Sequence, residues 1–220
     1  MSIKKVGRYD TSDLLEAQFE PGSRGGVLRN KLGIKRKREM DEAESVALKV
    51  ALDTLLGMYD EKHRFTAEDI RKMHKVWLGG IYEWAGEYRQ VNVSKGKFLF
   101  AAAKQVPLLM EEFEKVPLRK YTPCKFKSLE RTVQALAEVH VELVLIHPFR
   151  EGNGRVARIL STLMASQAGL PVLNFKDITG RNRKEYFVAI NNGLSRDYRL
   201  MERLFEKIIE QSIKVKPVEI

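Results

Sequence analysis

The sequence is nearly without cysteine: Cys124 is the one thiol in 220 residues. A lone thiol cannot close an internal disulfide, and no thiolate metal site can be read from it. No apolar run reaches the ~20 residues that a membrane-spanning helix needs. The opening stretch MSIKKVGRYD lacks the apolar segment of a secretory signal. These absences predict a protein with no membrane partner that is cytoplasmic, or at least made and folded there, with delivery into another cell as the alternative. There is no internal repeat. Neither a Walker A sequence nor a kinase glycine-rich loop occurs, so the usual phosphate cradles are missing. His-Glu-x-x-His is missing too, which leaves His140 and His147 without the partners of a zinc site. What the chain has in excess is positive charge, with 39 Lys and Arg against 29 Asp and Glu and a formal net charge of +10. A basic protein draws phosphates, whether in nucleic acid, on a membrane surface or in a nucleotide. The densest run, Lys35-Arg36-Lys37-Arg38, precedes a helical pattern and reads as a solvated helix entry. No aromatic-basic pattern of an RNA-binding sheet accompanies it, so nucleic acid is not the expected partner.

Hydrophobic residues make up 44% and charged residues 31% of the chain, a globular profile on a length that fits one domain. Residues 1–30 carry the breaker cluster Pro21-Gly22-Ser23-Arg24-Gly25-Gly26 and predict a loose N-terminal arm. The expected domain covers 31–215, with a tail over 216–220. A helix is predicted over 38–59, with apolar residues at Val46, Leu48, Val50, Leu52 and Leu55-Leu56. A second starts at Thr66, an N-cap with Asp69 three residues on. Its stripe runs through Ile70, Met73, His74, Trp77, Ile81 and Trp84 to a stop at Gly86. From Tyr88 to Ala102 the period changes to alternation around Ser94-Lys95-Gly96-Lys97, which reads as a single β-hairpin. Helical patterns resume at 104–115, 127–146, 154–167, 183–191 and 197–214. The sum is an all-α domain, a compact bundle of about seven helices with one β-hairpin.

The helix over 127–146 has its apolar face at Leu129, Val133, Leu136, His140, Leu143 and His147, in steps of four and three. That face delivers His147 to the helix end on the core-facing side. The following loop holds Glu151, Gly152, Asn153 and Gly154, and a new helix starts with Arg155. Glycines let backbone approach a ligand closely, and a helix N-terminus offers free N–H groups and a partial positive charge to an anion. Arg155 and Arg158, three apart, can fork onto phosphate oxygens. Glu151 is the loop's single carboxylate, and one carboxylate plus phosphate oxygens is a usual way to hold Mg²⁺. His147 supplies a base neutral near pH 7. Base, metal ligand, anion nest and two guanidiniums within twelve residues make up the equipment of phosphoryl transfer. The rival reading takes Gly152-Asn153-Gly154-Arg155-Val156-Ala157 as a dinucleotide fingerprint with Asp177 as its acid; it requires a strand before the first glycine, where a helix is expected. A third class, a basic nucleic-acid-binding module without catalysis, predicts steeply salt-dependent binding indifferent to His147.

The run His147-Pro148-Phe149-Arg150-Glu151-Gly152-Asn153-Gly154-Arg155-Val156-Ala157-Arg158 resembles the full signature of the Fic (filamentation induced by cAMP) family, which includes the Doc toxins. Trp84-Ala85-Gly86-Glu87-Tyr88-Arg89 and the hairpin after it are similar to that family's flap region. The resemblance implies a Fic fold and transfer of AMP from ATP, with Mg²⁺, to a Tyr, Thr or Ser hydroxyl of a target protein. It implies His147 as general base, Glu151 as Mg²⁺ ligand, and Gly152, Asn153 and Gly154 as holders of the α- and β-phosphates. Arg155 would neutralise the phosphates and Arg158 would reach the γ-phosphate. Val93, Ser94, Lys95 and Gly96 would lie near the nucleotide, on a 91–100 hairpin that clamps the target as an added strand. Tyr186 would stand near the adenine. Within the family, transfer of another phosphate-linked group, as in the Doc-like kinase branch, or removal of AMP are the alternatives. The inhibitory pattern Ser/Thr-x-x-x-Glu-Gly/Asn of many relatives has no complete match; Ser12 to Ala17 comes nearest but ends in Ala. The stretch Leu28-Arg29-Asn30-Lys31-Leu32 resembles the branch restrained by a separate small antitoxin, so inhibition in trans is expected.

Overall fold

The computed structural model describes residues 13–96 and 98–214. The predicted tail over 216–220 and the first twelve residues of the predicted arm lie outside them. Helices of eight residues or more are α1 (Lys37–Met58), α2 (Ala67–Leu78), α3 (Val106–Phe113), α5 (Leu129–Ile146), α6 (Asn153–Gln167), α8 (Arg183–Asn192) and α9 (Arg199–Lys214). Short helical pieces α4 (Arg119–Tyr121) and α7 (Lys176–Thr179) complete the set. Among the described residues the strands are β1 (Ser94–Lys95) and β2 (Phe98–Leu99), one antiparallel hairpin pairing Ser94 with Leu99 and Lys95 with Phe98. With helix α5 before the loop glycines, the strand that a dinucleotide fingerprint requires is not there. No helix among the described residues is long and apolar enough to cross a membrane.

Helix α5 forms the centre, buried at Val133, Leu136, Val139, His140, Leu143 and Val144, and packs against α6, α9, α3 and α8. Burial on nearly every turn and several sides is what a central helix requires. Leu129 at its start is instead 54% exposed. Helix α1 buries Met40, Glu44, Ala51 and Leu55. Val46 and Val50 fall off that stripe and face outward, a departure from the apolar face expected of them. Its basic entry is matched locally, Lys37 with Asp41 and Arg38 with Glu42 at i,i+4.

Helix α2 starts as the spacing predicts. Thr66 accepts from the Asp69 N–H, and the Asp69 carboxylate takes the Thr66 N–H in return. It stops at Leu78, eight residues before the expected end at Gly86. Gly79 and Gly80 break it, each costing about 1 kcal/mol relative to Ala inside a helix. Ile81 and Trp84 are still buried, but from a turn rather than from the helical stripe. The hairpin is also shorter than the alternation from Tyr88 to Ala102 suggests, and at its base Glu16 and Arg89 take up main-chain groups of Gln90, Val91 and Ala101.

Candidate active site

Helix α5 ends on His147, whose φ of 54° and ψ of 59° are left-handed. A non-glycine residue there is uncommon, and three contacts hold it. Its N–H donates to Leu143 O at 3.1 Å, its ring stacks on Phe100 at 3.6 Å between centroids, and its Nδ1 lies 3.1 Å from Val144 O. A carbonyl partner assigns the proton to Nδ1 and leaves the Nε2 lone pair free, the tautomer a base needs. Burial, helped by the nearby Arg89 and Lys95 cations and opposed by Val144 O and Glu151, lowers the imidazole to about 4.

The loop after it is tied by its own side chains. Asn153 accepts the Phe149 N–H and donates to Phe149 O, both at 2.8 Å, and is 3% exposed. The Asn153 amide side chain is spent on closing the loop, which leaves its main-chain N–H as the group open to a ligand. Phe149 is fully buried and stacks on His74 at 3.9 Å. His74 accepts the Gly86 N–H at Nδ1 (2.8 Å), so its Nε2–H donates to Glu151 O at 3.2 Å. Burial lowers His74 to about 3, which keeps this neutral bridge intact. Gly152 has φ 84°, and a Cβ there would stand 2.6 Å from the Trp77 ring. Both facts demand glycine. The Asn153 and Gly154 N–H groups, first in α6, find no acceptor among the described residues. They are the orphan donors of a helix start, open to an anion.

The two arginines differ. Arg155 reaches the buried Glu44 carboxylate at 2.6 Å and Glu151 at 3.3 Å, and lies over Trp77 at 4.5 Å. Glu44 also accepts from the Tyr82 hydroxyl at 2.7 Å. Arg155 is thus already neutralised by the protein, which sequence spacing does not reveal. Arg158 makes no side-chain hydrogen bond or ion pair among the described residues, and burial lowers its pKa. Its Nη1 lies 3.7 Å from where a Gly154 Cβ would be. An unmatched guanidinium beside two unmatched amides can take an anion.

On the flap, Lys95 sits over the Phe187 ring at 4.5 Å, with Arg183 on the same ring at 5.7 Å. Desolvation, then repulsion from Arg183 and Arg158, lowers the Lys95 ammonium against the pull of Glu151. Val93 accepts the Phe100 N–H at 3.3 Å, and Gly96 turns the hairpin with φ 61°. Ser94 is exposed. Tyr186 does not present its hydroxyl to an open pocket. It is 7% exposed and bonds His140 Nε2 at 2.9 Å, while His140 Nδ1 meets Ser161 Oγ at 3.1 Å. Arg183 and Phe187 from the same helix face the flap instead, and neither is singled out by sequence pattern. Glu151 is half exposed and its Oε1 also accepts the Gly152 N–H at 2.9 Å. Among the described residues no group of three His, Cys, Asp or Glu could hold a metal ion by itself. A divalent cation at Glu151 therefore fits only in company with ligand oxygens, the manner in which Mg²⁺ accompanies a nucleotide.

Residues 13–30, expected to hang loose, lie against this site. Glu16 accepts the Gln90 and Val91 N–H groups at 2.6 and 3.0 Å, and its carbonyl takes Arg150 Nε at 3.0 Å. Phe19 and Leu28 form an antiparallel bridge across the glycine-rich turn. Glu16, in the stretch nearest to the inhibitory pattern, is engaged by the flap rather than by Arg158.

A family model described as the Fic/DOC family matches residues 64–165. Protein adenylyltransferase VbhT of Bartonella schoenbuchensis is 31% identical over 144 residues, 66% of this chain and 30% of that protein. Protein adenylyltransferase Fic of Nematostella vectensis is 27% identical over 193 residues, 85% of this chain and 42% of that protein. The chain thus spans well under half of these relatives. A probable protein adenylyltransferase of Sinorhizobium fredii, y4lH, is 28% identical over 65% of this chain and 72% of its own length. The fold agrees with the N-terminal Fic domain of a Bartonella effector protein from Bartonella sp. AR 15-3, with TM-score 0.73 at 22% identity over 95% of this chain and 98% of that one. BepC from Bartonella tribocorum, solved with bound AMPPNP, gives TM-score 0.66 at 23% identity over 82% and 91%.

Proposed function

From the premise that this chain carries a Fic/DOC domain, we propose that it transfers AMP from ATP to a hydroxyl of another protein. The observation that carries the reading is the unmatched Arg158 beside the free Asn153 and Gly154 amides, one loop away from a histidine with a free Nε2. The target hydroxyl oxygen bonds to the α-phosphorus, the bond from that phosphorus to the β-phosphate bridging oxygen breaks, and pyrophosphate leaves. His147 Nε2 takes the hydroxyl proton, and Val144 O holds the opposite ring nitrogen while it does so. Arg158 and the two amides are placed for the phosphate charge, with Lys95 and Arg183 across the gap on the flap side. Arg155 keeps Glu151 and Glu44 in place, so its contribution to the phosphates runs through the loop. Glu151 with phosphate oxygens would hold Mg²⁺, which would neutralise the departing pyrophosphate.

The exposed edge of the 91–100 hairpin is the proposed seat of the target, which would add as a strand through main-chain bonds. No glutamate pairs with Arg158 among the described residues, and this supports restraint by a separate small inhibitor protein. The cytoplasm, where ATP and Mg²⁺ are at hand, is the proposed compartment. The test is transfer of label from ATP marked at the α- or the γ-phosphate, to the protein itself and to proteins of a cell extract. Label from the α-phosphate alone is expected. Label from the γ-phosphate would move the protein to the kinase branch, and none from either would overturn the reading. Arg158→Ala should weaken ATP binding by about tenfold or more, since charge-assisted bonds contribute ~1.5–3 kcal/mol.

A further inference from the structure

Arg89 lies between the flap and the helix that ends on His147. It is 1% exposed and forms no ion pair among the described residues, with the Glu16 carboxylate acting on it from beyond contact distance. Its side-chain bonds all go to main-chain carbonyls: Nε to His147 at 2.6 Å, Nη1 to Val91 at 2.9 Å, and Nη2 to Ala101 at 2.6 Å and Ile146 at 3.4 Å. Its own N–H donates to Pro148 O at 2.9 Å. A buried cation is tolerated only when its donors are satisfied, and here four carbonyls satisfy it.

Two of these carbonyls, Ile146 and His147, are the acceptors that the end of α5 leaves over. A plain helix cap would stop there. The other two stand at the mouth of the hairpin, one on each leg. A single planar guanidinium therefore joins both legs of the flap to the peptide that bears His147. Two neighbouring contacts reinforce it. Phe100, next to Ala101, stacks on the His147 ring. Glu16 takes the N–H of Val91, whose carbonyl Arg89 holds.

We propose that Arg89 is a positioning residue that locks the two legs of the flap to the end of α5, so that the target-holding edge and the base keep a fixed spacing. The inference rests on reading His147 as the base and the flap as the target clamp. Lysine at this position keeps the charge, but an ammonium cannot span four carbonyls as a planar fork does.

The test is hydrogen exchange of the full chain, read by mass spectrometry, with Arg89→Lys beside the unaltered protein. Exchange should rise together, by about tenfold or more, in segments 90–102 and 144–149, while α2 and α9 stay unchanged. A rise in one segment without the other would overturn the coupling, and a uniform rise over the chain would make Arg89 an ordinary core residue. Should Arg89→Lys not fold, Glu16→Gln takes its place. It must loosen 90–93 and, through Arg89, 144–149; an unmoved second segment would overturn the proposal. In the transfer reaction Arg89→Lys should lower kcat by about tenfold with KM for ATP within about twofold, because Arg158 and the α6 amides are untouched. A unchanged kcat would contradict it. If the unaltered protein transferred nothing while the exchange pattern held, the functional reading would fail and the clasp would stand.

Discussion

The motif loop and the flap face one another across the same site, yet they are held in different ways. The loop adds ties within itself to those it receives from His74, Glu44, Glu16 and Arg89. Asn153 closes onto Phe149 four residues back, His147 onto Val144 three residues back, and Glu151 onto the next N–H. The flap has almost no structure of its own, two residues per strand. It is fastened from afar, by Arg89 to a carbonyl 58 positions on and by Glu16 from 75 positions before Val91. A two-stranded hairpin is marginal in water by itself, so its position is set by what ties its base. The loop thus carries ties of its own, whereas the flap keeps its spacing from the loop through Arg89 and Glu16.

Substitutions can break this contrast, and the largest effect belongs to the loop. His147→Ala should lower transfer by ~10²-fold or more and leave ATP binding nearly unchanged, as measured by turnover and calorimetry. Gly152→Ala puts a Cβ 2.6 Å from Trp77 at a φ of 84°. It should destabilise the fold by about 2–4 kcal/mol in denaturant unfolding, and a smaller loss would mean that the loop yields. Gly154→Ala sharpens the point. Its new methyl meets nothing closer than 3.7 Å, so stability should stay within about 0.5 kcal/mol while ATP affinity falls. Equal affinity would show that the glycine is not there for the phosphates. Glu16→Ala, at the flap base, should cost about 1 kcal/mol and reduce transfer only a few-fold.

Protonation separates the regions as well. His74, His140 and His147 are pushed by burial from 6.5 to about 3, 3 and 4. Between pH 6.5 and 4 the unfolded chain binds these protons and the folded chain does not. Stability must therefore fall with pH in that window, by up to about 1.4 kcal/mol per unit for each histidine. Denaturant midpoints equal at pH 7 and pH 5 would contradict the buried, neutral state of these rings. His74 and His147 hold the loop side, whereas His140 packs among Ser161, Tyr186 and the α9 residue Phe205, so exchange should rise around both the loop and that cluster.

The difference in span explains what was legible. The 147–158 run carries its chemistry-bearing residue types in one stretch and closes on itself through Asn153 and His147, so twelve residues read in order already imply a base, an anion nest and a helix start. The Thr66–Asp69 cap is legible for the same reason. Glu44, Arg89 and Glu16 have partners 111, 58 and 74 or more positions away, and no local pattern announces them. The breaker cluster at 21–26 suggests slack, whereas its turn lets Phe19 and Leu28 meet. Tyr186 gives its hydroxyl to His140, buried on a neighbouring helix, a long-range partner that the local sequence does not announce.

If His147 Nε2 receives the hydroxyl proton as AMP moves to the target oxygen, intact-mass measurement should register it. The protein and its His147→Ala form are each incubated with ATP and Mg²⁺. A gain of one AMP unit on the unaltered protein, absent from the variant, is the expected result. An equal gain on both would contradict it, because AMP would then be moving without this base.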